Sequence, residues 1–160
     1  MYGCSVVAHF DPAWGSTYRE NILALLRDYA NPSKEDPFFP VLRQFDAFDG
    51  HSWAAGLFVF ADGRNQESSS ESINGYYAMM LLGSALGDAH ISDLGRMLTS
   101  LEIYGTLTYW QSRKGHSVYP QVFADNKCIG MKWSQKVVEA TWFGQDEHNG
   151  HESRQKRESK

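Results

Sequence analysis

The run INGYYAMMLLGSAL, residues 73–86, is apolar around most of a helical circumference rather than along one stripe. A helix of that kind cannot stand at a surface with one face in water; it has to be covered on several sides by other elements. Two further runs supply candidate covers. In STYRENILALLRDYA, residues 16–30, Ile22, Leu25, Leu26 and Tyr29 recur at helical spacing behind Ser16 or Thr17 as a cap. From Ile91 or Ser92 to Arg113, Leu94, Met97, Leu98, Leu101 and Leu107 fall on one stripe. Short polar connections between these runs predict antiparallel neighbours. The expected fold class is therefore mainly α, with one short extended segment late in the chain at KCIGMKW, residues 127–133.

Between the first two helices lies NPSKEDPFFP, with three prolines in ten residues, which reads as a surface loop. An irregular aromatic stretch follows, from Val41 to Gln66. Residues 145–160 carry no aliphatic or aromatic side chain and are expected to be a disordered tail, because nothing there can offset the entropy of ordering.

Several function classes lose support. The formal net charge is −4 with no basic block apart from the mixed-sign tail, so no footprint for nucleic acid exists. No apolar run approaches the roughly 18–20 residues of a membrane span. The six histidines do not form HExxH, GxSxG and GxGxxG are missing, and neither a metal nor a cofactor is implied. Cys4 and Cys128 fit neither a zinc pattern nor a disulfide-dense scaffold, and could pair or remain thiols.

The acidic side chains concentrate where chemistry would need them. Asp46, Asp49, Asp62, Glu67 and Glu71 stand close in sequence to His51, Trp53, Asn65 and Gln66. Splitting a glycosidic bond takes one group to protonate the leaving oxygen and a carboxylate to activate water or attack directly, so carboxylates beside aromatic rings suit sugars. The five Trp, eight Tyr and nine Phe could supply stacking surfaces or simply core. The stretch NQESSSES, residues 65–72, carries the most pointed feature. If helical throughout, it sets Glu67 and Glu71 one turn apart on the same face, where like charges repel by a few tenths of a kcal/mol. Acidic residues in a first helical turn also favour the macrodipole, which accounts for one glutamate better than for two. His51 reads equally as a core imidazole or as a donor to a sugar hydroxyl.

Taken together, DPAWG (11–15), LLRDYANPS (25–33), FFPVLRQFDAFDGHSWAAGL (38–57), DGRNQESSSESINGYYAMMLLG (62–83), Tyr119-Pro120 and TWFG (141–144) resemble glycoside hydrolase family 81, the endo-1,3-β-glucanases. The resemblance implies a fragment of an (α/α)6 barrel catalytic domain over residues 1–144, followed by the polar tail. It implies an inverting endo-hydrolysis of β-1,3-glucans in which Glu67 and Glu71 are the essential glutamates, one as general base and the other orienting it or shifting its pKa. It places Asp46 and His51 along the glucan cleft, with Trp53 in support and Asn65 as a further substrate contact. The family's general-acid aspartate belongs to a motif expected just upstream of residue 1, so the chain by itself is expected to turn over little or no laminarin. Family enzymes are secreted or wall-associated, with any export signal expected upstream. A non-catalytic β-glucan-binding fragment and a non-functional truncated product are the rival readings.

Overall fold

The computed structural model describes residues 1–54, 61–113, 115 and 117–139. The expected polar tail and the TWFG motif lie outside them. The fold is mainly α, as the sequence predicts, with short strands towards its end. The described chain forms two compact units: one of residues 1–53 and 69–106, the other of residues 54–68 and the chain from 107 on.

The first unit opens with α1 (Tyr2–Phe10), α2 (Pro12–Thr17) and α3 (Arg19–Ala30). Asp11 caps α2 by accepting the Trp14 amide at 3.0 Å, with Pro12 at the first helical position, where its missing N–H leaves no bond unmade. This early start overturns the expected cap at Ser16 or Thr17. Their hydroxyls donate to the carbonyls of Pro12 and Ala13 inside α2, and the chain turns at Tyr18 before α3 begins. In α3, Ile22, Leu26 and Ala30 are buried, while Leu25 is 61% exposed.

The long helices α4 (Ser69–Ala85) and α5 (Ala89–Gly105) form an antiparallel pair joined by residues 86–88, with Gly87 in the left-handed region at φ 67°. Asp88 caps α5 by accepting the Ile91 amide and is held by Arg19 at 2.6 Å. What selects the touching faces is small side chains. A Cβ on Gly83 would stand 2.3 Å from the Ser92 nitrogen, and one on Gly95 would stand 2.5 Å from the Met80 nitrogen. These approaches fix the register and turn α5 so that Ile91, Ser92, Gly95, Leu98, Glu102 and Gly105 face inward. The expected stripe is corrected accordingly: Leu98 is buried and Leu94 half-buried, but Met97, Leu101 and Leu107 are exposed. Leu107 lies past the end of α5, in the π-helical stretch Thr106–Trp110. The core of this unit gathers Leu26, Ala30, Tyr76, Met79, Ile91 and Leu98. A two-residue hairpin, β1 (Phe45–Asp46) with β2 (His51–Ser52), completes it.

The second unit is built on an antiparallel sheet in which β4 (Met131–Trp133) lies between β3 (Asn65–Gln66) and β5 (Val137–Val138). The extended segment expected at residues 127–133 is thus a central strand at its end. Trp110 and Ile129 are buried there and share a backbone hydrogen bond of 2.9 Å, and the short α6 (Gln121–Ala124) buries Ala124. Cys4 and Cys128 are both free thiols.

Candidate active site

Asp46 closes β1 and organises the turn that follows it. Its carboxylate accepts the amides of Phe48 and Asp49 at 3.0 and 3.3 Å and the Trp53 indole N–H at 3.0 Å, while its carbonyl accepts the Gly50 amide at 2.8 Å. Gly50, at φ 73°, supplies the left-handed residue that lets the chain reverse into β2. Cross-strand pairing then sets Asp46 opposite His51 and Phe45 opposite Ser52.

His51 is wholly buried. Its Nδ1 lies 2.8 Å from the carbonyl of Ser52, an atom that can only accept, so Nδ1 carries the proton. The ring meets Trp53 edge to face with centroids 4.5 Å apart. His51 is thus a buried imidazole anchored through Nδ1 on a backbone carbonyl. Trp53 is 3% exposed, so Asp46, His51 and Trp53 form one interlocked cluster of which only Asp46 is part-exposed.

Beneath that cluster lies a polar network that sequence reasoning missed. Glu102, 1% exposed on α5, accepts the Ser52 amide at 2.6 Å, and the hydroxyls of Ser52 and Tyr76 are 2.7 Å apart. Burial raises the Glu102 pKa, opposed by the hydrogen bond from the Ser52 amide. Burial likewise pushes the Tyr76 phenol up to about 12, so it remains neutral and able to donate. One signal was present in the sequence: Glu102 falls in helical phase with Ile91, Gly95 and Leu98, a charged residue on a core face.

The two glutamates of the serine-rich motif do not share a helix. Asn65 and Gln66 are held extended against Trp133 and Lys132, and α4 begins only at Ser69. Glu67 therefore lies in the bend before the helix, half-buried, and belongs to the second unit together with the half-buried Asn65. Glu71 belongs to the first unit and stands exposed in the first turn of α4, where the helix dipole favours it. The repulsion expected from two glutamates stacked on one helical face does not arise in that form. Among the described residues no group of three or more His, Cys, Asp or Glu is placed to hold a metal ion.

The fold is mainly helical, with a carboxylate exposed in the first turn of α4 and another in the bend before it. Comparison with known proteins gives that fold a family. Residues 1–154 match the Glycosyl hydrolase family 81 C-terminal domain, and the chain belongs to that family. A glucan endo-1,3-beta-D-glucosidase of Glycine max is 41% identical over 145 residues, covering 89% of this chain and 22% of the relative. One from Acetivibrio thermocellus is 37% identical over 150 residues, covering 89% and 18%. A solved family 81 glycoside hydrolase from Clostridium thermocellum, a glutamate-to-alanine mutant, superposes with a TM-score of 0.81 at 36% identity, covering 92% of this chain and 21% of that one. The chain thus spans about a fifth of the length of these relatives.

Proposed function

We propose that this chain serves in the endo-hydrolysis of 1,3-β-D-glucosidic linkages in laminarin-type β-1,3-glucans, with inversion at the anomeric carbon. The observation that carries the reading is the family match over residues 1–154, joined to relatives named for that activity. The geometry of the motif supports it, since Glu71 is exposed and Glu67 partly so. A general base must reach a water molecule, and a fully buried carboxylate could not. One of the pair takes the proton of the attacking water and the other orients that water or raises its neighbour's pKa; a further carboxylic acid protonates the leaving oxygen. Asp46, His51 and Asn65 are the candidate substrate contacts, with Trp53, which donates its indole N–H to Asp46, in support. The substrate class places the work outside the cell or at its wall. An (α/α)6 barrel is the architecture proposed for the complete domain.

Reducing-sugar release from laminarin by a longer protein that carries the expected upstream general-acid aspartate tests the proposal. Glu67→Gln and Glu71→Gln are each expected to lower the rate by about 10²–10⁴, with laminarihexaose affinity held within about threefold because the substituted group remains a hydrogen-bonding amide of the same shape. A longer protein of this kind that binds the hexaose but shows no turnover, with or without these changes, supports the glucan-binding reading instead. One that neither binds nor cleaves sinks both.

A further inference from the structure

Resting on that reading, we propose that Ser52 is a positioning residue, which pins the hairpin carrying Asp46 to α4 and α5 together and so fixes where the Asp46 carboxylate is presented to a glucan. The starting point is how little the hairpin has to hold itself. Its strands are two residues each, joined at one end by the Trp53 amide donating to the Gln44 carbonyl at 2.9 Å and at the other by the Gly50 amide donating to the Asp46 carbonyl at 2.8 Å. A two-stranded ribbon of this size is marginal in water, so its place has to be set by what it packs on.

Ser52 is 2% exposed, and each of its polar groups is engaged. Its amide donates to Glu102 Oε1 on α5 at 2.6 Å, its hydroxyl shares a hydrogen bond of 2.7 Å with the Tyr76 hydroxyl on α4, and its carbonyl accepts His51 Nδ1 at 2.8 Å. A buried hydroxyl with a directed partner fixes orientation as well as distance. An alanine or valine there would only fill space and would leave the buried Tyr76 hydroxyl without this partner. Two further contacts support the same seat. Phe45, opposite Ser52 in the hairpin, meets the Tyr76 ring edge to face with centroids 6.3 Å apart, and a Cβ on Gly105 of α5 would lie only 3.0 Å from the Gly50 carbonyl oxygen. The consequence reaches Asp46 through the next residue. Trp53 follows Ser52 and donates its indole N–H to the Asp46 carboxylate at 3.0 Å, while His51, which precedes Ser52, is the cross-strand partner of Asp46. A shift of Ser52 therefore carries with it both the strand opposite Asp46 and the donor that orients its carboxylate. A binding group is useful only if held to a fraction of an ångström, and the bonds to Ser52 supply that support.

The test compares Ser52→Ala, Tyr76→Phe and the double variant in the longer protein that carries the upstream aspartate. Amide hydrogen exchange is read across residues 45–53, with residues of α3 as the internal reference, alongside laminarihexaose affinity and the kinetics on laminarin. Each single change is expected to accelerate exchange across the hairpin about tenfold over that in α3, the scale of one lost hydrogen bond, and to weaken hexaose binding by a similar factor. KM is expected to rise by about tenfold with kcat held within about threefold, because the group displaced is a binding contact rather than one of the glutamates of the serine-rich motif. The double variant is expected to fall no further than the worse single one, since both changes remove the same bond. Should Ser52→Ala fail to fold, Tyr76→Phe keeps the ring and its packing, and the same local acceleration and the same split between KM and kcat are expected of it alone. Effects that multiply in the double variant, exchange that rises equally in α3, or a hairpin and an affinity left unchanged by whichever variant folds each overturn the proposal. Local loosening as expected in a parent that shows no affinity for the hexaose leaves the pinning of the hairpin standing and removes the glucan reading instead.

Discussion

The helical unit and the sheet-containing unit reach their packing by different means. In the first, α4 is apolar nearly all round, so its period could not choose which face meets α5. The choice is made where side chains are missing: Gly83 and Gly95 let the two backbones approach, and the larger apolar residues take the positions left to them. In the second unit, strands of two or three residues carry almost no pattern of their own, and their pairing depends on turns and on a few buried groups such as Trp110 and Ile129. The lesson is that close backbone approach dominates one unit and turn geometry the other, so substitutions of the same kind should act differently in each.

The largest effect is expected at the α4–α5 contact. Gly95→Ala would put a Cβ 2.5 Å from the Met80 nitrogen and 2.9 Å from both its Cα and the Tyr76 carbonyl oxygen, all backbone atoms that cannot swing aside. The helices must part, at an expected cost of about 3 kcal/mol in chemical denaturation, the upper part of the range for overpacking. Gly3→Ala is the matched control, because its Cβ meets nothing within 4 Å in α1; a small gain of about 0.5 kcal/mol is expected there from helix propensity. Equal midpoints for the two variants would mean that the helices are not held in this register.

A smaller effect is expected in the other unit, where Gly63 precedes β3 at φ 80°. Alanine at that position enters the left-handed region at a cost of about 1–2 kcal/mol, and its Cβ would stand 2.8 Å from the Ser134 Cβ. Here the neighbour is a side chain on a turn, which can move by a few tenths of an ångström, so backbone strain supplies most of the loss. A denaturation midpoint as low as that of Gly95→Ala would erase the distinction between the units.

These contrasts also explain what could be read from the sequence. The mainly helical class, the α4 run and the late extended segment were legible because long periodic runs and their breakers are local signals. The face of α5 was not: Met97 and Leu101 fit the period as well as Leu98, and only the glycine contacts decide among them. The candidate glutamates were visible as a motif, but their backbone was misjudged, since pairing of Asn65 and Gln66 with a strand more than sixty residues later keeps Glu67 out of the helix. Glu102 was overlooked because a glutamate between exposed leucines and isoleucines reads as a solvent-facing residue until its partner from β2 is in place.

The smallest effects test whether the helical unit treats its own carboxyl groups as oppositely as their settings imply. Asp36 lies in the proline-rich loop, where the hydrogen bond from Arg27 above all, with the amides of Phe38 and Phe39, draws its pKa down to about 2. A carboxyl whose folded pKa is depressed contributes stability above its unfolded value of about 4, and that contribution is lost as pH falls towards 2. Glu102 runs the other way, because burial raises its folded pKa. Its contribution is fully present below the unfolded value of about 4.3 and is lost as pH rises through the folded one. The melting difference between the parent and Asp36→Asn should therefore widen in the parent's favour from pH 2 to pH 4 and then level off. The difference between the parent and Glu102→Gln should move against the parent as pH rises past 4, while the shared acceptor geometry keeps Ser52 in place. Parallel pH profiles for the two variants would show that Glu102 is not desolvated as its position beneath β2 requires. Opposite slopes would separate a carboxylate kept for its charge from one kept for the bonds it accepts.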